Sequence, residues 1–563
     1  MYQESKISLT SKPATSGSIS RVQFLILVIL FLSAFCIRLY HITRPPLDFA
    51  PIRQYQNATN AREYYFNTLD DISETRRKIA ETNAERMGFA LEPRIMEHLA
   101  VTGYRITGGE KLWIPRVLSS IFWIVGGIFL FLTARKITSV NAALFSTMFY
   151  LFLPYSISAS RSFQPDPLMI MLSMISLFTI VWNYDSPSKS RLITASGISA
   201  VAIFVKPYCI FLIFGLAMSL FIKRHGVRKA IFNSDFLVFS FISILPTFVY
   251  YGYTSLIQRD AQAHIQASFL PYLLLRPYFW KDWFVIIGRV IGYTAFAGAL
   301  TGLIISTGFL RTVLAGLWIG YVVFGMVFSF HIHTHDYYQL QFIPVIALSL
   351  IPVAAMIVNK FSSLFFSRKH IVFLSIAVIL LIAATGYFVR SGNLRDYKDY
   401  IKPVGAIIGV NPDFYKFITA DFEKEVMAAR EIGEIVGHST NTVFLTSDFG
   451  RSLSYHGEIS GLPWPISISM RDRKEMGTPI PDKKELFNPR YLMIRTYKSK
   501  LFKGKQIYEE YIRFTPDYFI ITDFKEFDIQ PDLKEFLYNN FPVKAKSDSY
   551  LIFDMSRMSA GEG

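Results

Sequence analysis

Asp48 and Arg53 stand close together in "RPPLDFAPIRQYQ", directly after an apolar run from Val22 to Tyr40. A carboxylate there can accept the proton of a hydroxyl nucleophile, and a guanidinium can hold a phosphate through a two-pronged fork. "LEPRIMEH" adds Glu92, Arg94 and His98. "SRSFQPDP" adds Arg161 and Asp166, and "VKPYC" adds Lys206. "HIHTHDYYQL" adds His331, His333, His335, Asp336, Tyr337 and Tyr338. Ionisable groups at membrane depth are expensive unless they pair or line a cavity. Their concentration at the ends of apolar runs, on one side, points to a site there.

Each of these residues has a plainer reading beside the chemical one. A lone Asp before a helix serves as an N-cap or an ion-pair partner. Arg161 and Asp166 could pair across their own loop, and Lys206 could snorkel to the surface. Alternating histidines on a strand share a face and could hold a metal, whereas a helix or loop would not bring them together. Tyr337 and Tyr338 suit a sugar or a lipid tail and equally an interfacial aromatic belt. Asn57-Ala58-Thr59 fits a glycosylation sequon, a pattern short enough to arise by chance.

The elements that must position these groups are mostly membrane spans. The 563 residues are 52% hydrophobic and 16% aromatic, with only 18% charged, and the apolar residues come in blocks. Blocks of about 20 such residues read as transmembrane helices. Eleven candidate spans run over 21–40, 112–134, 141–159, 167–184, 191–205, 207–222, 235–257, 285–306, 311–331, 340–358 and 371–390. Pro207 breaks the hairpin between the fifth and the sixth. The net charge of +16 needs no nucleic acid, because basic loops facing anionic lipid account for it. With the N-terminus in the cytoplasm, the inner segments carry most of the loop Lys and Arg, and an odd number of spans puts the C-terminal part outside.

Residues 1–20 form a cytoplasmic tail, and 21–390 the membrane domain with an outer loop, 41–111, that carries interfacial helices. From 391 to 563 the composition changes. "TVFLTSDFG", "DYFIITDF" and "SYLIFDM" read as short buried strands, and "DFEKEVMAAREIGEIVG" and "DLKEFLYNNF" as helices, the first closed by Gly437. This predicts a C-terminal extracytoplasmic α/β domain. Within it, "SYHGEISGLPWP" has aromatic and polar residues suited to carbohydrate, although Trp464 between two prolines equally fits a packed loop. Cys36 and Cys209 both lie in apolar runs and form no disulfide framework.

In their order, these residues resemble the polyprenyl-phosphate-sugar-dependent glycosyltransferases of the GT-C fold. The resemblance is to the bacterial branch related to protein O-mannosyltransferases and the aminoarabinose transferase of lipid A. It covers residues 21 to about 390. It rests on the outer loop opening with Asp, the Glu92–Pro93 pair, the "PDP" turn and the "HDYYQL" element. It implies a polytopic α-helical membrane protein with about 11 transmembrane helices, in the plasma (inner) membrane. Such an enzyme moves a hexose or pentose from a polyprenyl phosphate, such as undecaprenyl phosphate, to a glycolipid, polysaccharide or protein acceptor, with inversion.

By that match Asp48 is the general base or orients the acceptor hydroxyl, and Glu92 is a second catalytic carboxyl. Independently of the match, cations stabilise the departing phosphate, and Arg53, Arg161 and Lys206 are the candidates to bind it. His335 and Asp336 match the family's pattern and would orient substrate or phosphate, with Asp166, Tyr337 and Tyr338 as further candidates to contact substrate. Relatives often carry a second acid beside the loop Asp; here Phe49 follows. No cofactor is therefore expected to be required, although a divalent cation is possible. A polyprenyl tail leaves the bilayer only at about 0.8 kcal/mol per buried CH₂, so the donor must enter sideways between helices. The competing class is a secondary transporter or lipid flippase, which would place charges at mid-bilayer and show related halves. A third is a non-catalytic assembly protein, which would tolerate Asp48→Asn.

Overall fold

Ser20 starts the first helix, Arg21–Leu39, with a capping box: its hydroxyl accepts from Gln23 N, and Ser20 N donates to the Gln23 side chain. A computed structural model of the chain describes residues 18–87, 92–257, 269–357, 409, 412–467, 482–496, 500–502, 505–507 and 510–556. Among them, seven helices are long and apolar enough to cross a membrane: Arg21–Leu39, Trp113–Ile137, Asp166–Asp185, Pro207–His225, Ser234–Thr254, Gly308–Val327 and Asp336–Ile357. The chain is a multi-pass membrane protein.

Among the described residues, the expected spans differ from these in three places. Span 285–306 is bent: Pro277–Val290 and Tyr293–Ile305 meet at 101° and make an eighth crossing only if both belong to one broken span. Gly292, at φ 84, takes a backbone conformation at the break that disfavours side-chain-bearing residues. Span 141–159 divides into Val140–Phe152 and Pro154–Ala159, because Pro154 cannot continue the hydrogen-bond ladder. Span 191–205 is the 17-residue helix Lys189–Val205. Span 371–390 lies outside the described residues.

The chain clusters into two compact units. One comprises Met1–Ile42, Arg116–Gly252 and Ala267–Ala420; the other comprises Thr43–Pro115, Tyr253–Gln266 and Asp421–Gly563. The outer loop thus clusters with the tail and not with the spans that flank it in sequence.

In the first unit, Pro207 ends the ladder of Lys189–Val205, makes a 3-10 turn to Cys209, and Ile210–His225 follows. This last helix meets Gly308–Val327 backbone to backbone. A Cβ on Gly215 would stand 2.3 Å from the Gly316 carbonyl oxygen, and one on Gly320 would stand 2.3 Å from that of Phe211. Small residues four apart allow this approach, as in other membrane helix pairs. The pair carries Lys206 and Tyr208 at one helix start and leads into the "HIHTHDYYQL" segment after the other.

In the second unit, the described residues of the outer loop include the helices Pro51–Phe66, Glu74–Met87 and Ile95–Thr107. The tail contains a five-stranded sheet in the order Gly461–Pro463, Thr442–Leu445, Tyr518–Ile521, Leu551–Asp554, Val543–Lys546. The first two pairings are parallel and the last two antiparallel. Alternation along the strands divides the core. Val443, Leu445, Phe519, Ile521 and Phe553 pack on Leu533 and Leu537 of the helix Pro531–Asn540. Phe444, Ile520 and Ile552 pack on Ala429 and Ile432 of the helix Glu423–Ile435, which Gly437 closes at φ 59. Met87, from the outer loop, is buried in that second layer. The predicted strands and helices of the tail are all present.

Candidate functional site

The spans bring "SRSFQPDP", "VKPYC" and "HIHTHDYYQL" together in the first unit. Asp166 opens the helix Asp166–Asp185, and Lys206 caps the C-terminal end of Lys189–Val205. Both positions suit their charges with respect to the helix dipoles. Lys206 Nζ and Asp166 Oδ2 are 2.8 Å apart, with side chains 1% and 3% exposed. Asp166 therefore pairs with Lys206 and not across its own loop with Arg161. The ammonium lies 5.3, 5.6 and 5.8 Å from the ring centres of Tyr208, Tyr337 and Tyr338. The Tyr208 and Tyr338 hydroxyls share a hydrogen bond of 2.9 Å.

The histidines follow a short helix, Ser329–Ile332, and a 3-10 turn, Asp336–Gln341, so they do not share a strand face. His331 stacks on Tyr338 with ring centres 4.7 Å apart. His333 Nδ1 donates to the Ser329 carbonyl, and His335 Nδ1 shares a hydrogen bond with the Thr334 hydroxyl. The His335 ring lies 5.6 Å from that of Tyr337. Asp336 faces Arg289 at 3.9 Å. Among the described residues, no three His, Cys, Asp or Glu side chains are grouped to hold a metal ion.

Arg161 is engaged elsewhere in this unit. Its guanidinium donates to the Tyr40 and His41 carbonyls at 2.6 and 3.0 Å and lies 4.6 Å from the centre of the Phe417 ring. Arg116 donates to the Ile42 carbonyl, and Arg38 to Ser160, Ala34 and Leu151. The exit of the first helix is held this way through His41, a non-glycine residue at φ 52.

In the second unit Asp48 is 6% exposed and precedes the helix Pro51–Phe66. Ala50 caps that helix in the left-handed region, and Pro51 begins it. Gln54, fully buried, donates its amide to the Pro46 and Phe49 carbonyls at 3.2 and 2.6 Å. Arg53 Nη2 donates to Glu92 Oε1 at 3.0 Å, and its Nη1 donates to Gln56. The two chain segments that supplied Arg53 and Glu92 are thus joined by an ion pair. Arg94 donates to the Tyr64 hydroxyl, and His98 stacks on the Tyr64 ring at 4.9 Å. Glu97 is 4% exposed at the start of Ile95–Thr107, and burial pushes its carboxyl up to about 7 against the pull of Arg94 and Arg53.

Residues 92–250 match the profile of the dolichyl-phosphate-mannose-protein mannosyltransferase family. ArnT from Cupriavidus metallidurans, solved bound to undecaprenyl phosphate, is similar over 96% of this chain and 98% of its own, at 13% identity and a TM-score of 0.51. The chain has a GT-C fold. The apo structure of the same ArnT aligns with this GT-C chain over 94% of the chain and 97% of its own length, at 14% identity and a TM-score of 0.51. The oligosaccharyltransferase of Archaeoglobus fulgidus aligns over 79% and 64%, at 10% identity and a TM-score of 0.43. No curated protein matches the chain in sequence.

Several residues that shape these GT-C polar clusters escape a reading of the sequence. Tyr208 lies two residues past Lys206, and its signal was the aromatic in "VKPYC". Arg289 and Glu97 carry no local signal. Tyr455, His456 and Glu458 lie in the segment read as suited to carbohydrate, but they contact the outer-loop helices. Trp464 is 3% exposed and packs on Phe487 and Phe519, its indole N–H donating to Gln530. It is a core residue.

Proposed function

We propose that this chain is a membrane glycosyltransferase that moves a sugar from a polyprenyl phosphate to an acceptor on the outer face of the plasma (inner) membrane. The observation that carries the reading is the GT-C fold itself, shared with ArnT over nearly the whole of both chains. The undecaprenyl phosphate bound to that ArnT and the name of the family matched at residues 92–250 support a lipid-phosphate donor.

The reaction is a single displacement with inversion. The acceptor hydroxyl oxygen bonds to the anomeric carbon as the carbon–oxygen bond to phosphate breaks. The hydroxyl proton passes to the Asp48 carboxylate, and the lipid phosphate leaves with the bonding electrons. A positioned base contributes about 10²–10⁴-fold. One carboxylate suffices for such a displacement. Cations offset the charge developing on the leaving phosphate, more strongly where water is excluded. Arg53 and Lys206 take this role, with Glu92 and Asp166 fixing their orientation. Tyr337, Tyr338, His335 and Asp336 contact the substrate. Arg161 supports the backbone at the exit of the first helix.

The bent pair Pro277–Val290 and Tyr293–Ile305 favours a second class, a transporter or lipid flippase, because broken helices line transport sites. One experiment separates the two: mass spectrometry of lipids and surface glycans from a deletion strain and its parent. A glycosyltransferase leaves a missing sugar and an accumulated lipid-linked precursor. An unchanged complement of surface sugars overturns the proposal.

A further inference from the structure

The helix Pro51–Phe66 is gripped by the tail. The Tyr55 hydroxyl, on a fully buried side chain, shares a hydrogen bond of 2.7 Å with His456 Nε2. Two turns further on, Arg62 pairs with Glu110 at 3.0 Å, donates to the Tyr455 carbonyl and lies 3.5 Å from the centre of the Tyr455 ring. The Tyr455 hydroxyl donates to the same Glu110. On the next helix, Arg76 Nε donates to Glu458 at 2.7 Å and the Asn83 amide to the Ile459 carbonyl. Residues 55 and 62 are seven apart and share a helix face, so the tail helix Arg451–Gly457 meets one side of Pro51–Phe66.

Gln54, the neighbour of Tyr55, holds the Pro46 and Phe49 carbonyls, which bracket Asp48. A path of bonds therefore runs from His456 to Tyr55, through the adjoining backbone of Gln54, to the loop that presents the carboxylate. Burial, with Arg62 and Arg430 nearby, holds the His456 imidazole down to about 3, so it is neutral at ordinary pH and suited to a single fixed hydrogen bond.

We propose that the tail helix Arg451–Gly457 is a positioning element for Asp48, acting through the Tyr55–His456 bond and the Gln54 amide. The inference rests on the reading of Asp48 as the base. It gives the tail a part in the chemical step, separate from any contact with the acceptor.

The test uses the full chain in detergent or liposomes, with a lipid-linked sugar donor identified from the deletion strain. Tyr55→Phe removes one oxygen and His456→Ala removes the imidazole. Each lowers kcat by about 10- to 100-fold, the cost of an ångström-scale misplacement, while KM for the donor stays within about twofold. The double variant loses no more than the worse single one, because both remove the same bond. His456→Gln, whose amide can reach the Tyr55 hydroxyl, recovers most of the loss. Parental kcat in both single variants, multiplicative losses in the double variant, or equal defects in His456→Gln and His456→Ala would each overturn the proposal. Asp48→Asn, assayed alongside, keeps the two claims apart. An active Asp48→Asn protein removes the base reading on which the proposal rests. An inactive one, beside fully active Tyr55 and His456 variants, removes only the positioning role.

Discussion

Lys206 and Asp166 form a buried ion pair of 2.8 Å that joins the end of the helix Lys189–Val205 to the start of Asp166–Asp185. Their segments are 40 residues apart in sequence. Removing one partner leaves a buried charge without its counter-ion, which costs about 3–5 kcal/mol. Lys206→Met and Asp166→Leu are each expected to lower the melting temperature sharply. The double variant should recover much of the loss, since apolar side chains can replace such a pair. Thermal unfolding in detergent measures this, and additive losses in the double variant would contradict the pairing.

The approach of Ile210–His225 to Gly308–Val327 leaves no room for side chains at the crossing. Gly320→Val would drive a Cβ against the Phe211 carbonyl and cost on the order of 3 kcal/mol, with loss of folded protein. Gly197→Ala, where nothing lies within 4 Å, is the matched control and should leave the yield unchanged. Size-exclusion profiles of the two variants compare them directly. A well-folded Gly320→Val protein would mean the helices do not meet there.

Two buried groups in the unit of outer loop and tail give opposite pH dependence. Glu97 has its value raised from 4.5 to about 7, so the folded state holds the extra proton. Its contribution to stability is fully present below about pH 4.5 and is lost as pH rises from there through about 7. His456 is lowered from 6.5 to about 3, so the unfolded chain binds the extra proton, and stability falls as pH drops from 6.5 toward 3. Glu97→Gln should gain on the order of 1–3 kcal/mol over the parent at alkaline pH and nothing at acid pH. His456→Gln should flatten the acid side only. Melting temperatures across the pH range check both, and curves parallel to the parent's would refute the burial argument.

Transfer should proceed in the presence of a chelator. The position after Asp48 holds Phe49, 1% exposed, where a paired-acid metal site would need a second carboxylate. Initial rates with and without chelator decide this. A rate restored only by added divalent cation would contradict it.

The sequence made some elements legible because their signals are local. Gly437 closes its helix and Pro207 stops another, as their backbone chemistry requires. The three apolar runs of the tail are the central strand, its antiparallel partner on one side and its parallel neighbour on the other. The spans 141–159 and 285–306 misled because apolar composition alone does not register a break at Pro154 or Gly292. The partners of the site residues were illegible for another reason. Lys206 with Asp166, Arg53 with Glu92 and Tyr55 with His456 are polar pairs between distant segments, and no periodicity links them. Met87 and Trp464 show the same limit in the core: each lies in a stretch that reads as loop or helix surface, and long-range packing buries it.

The central claim is that Asp48 takes the proton of the acceptor hydroxyl. Asp48→Asn nearly preserves size and removes the proton-accepting charge. Expressed at parental level in the deletion strain, it should leave the surface sugar missing and the lipid-linked precursor accumulated, with in vitro transfer down by about 10²–10⁴-fold. A deletion strain whose surface sugar is fully restored by Asp48→Asn would contradict the account.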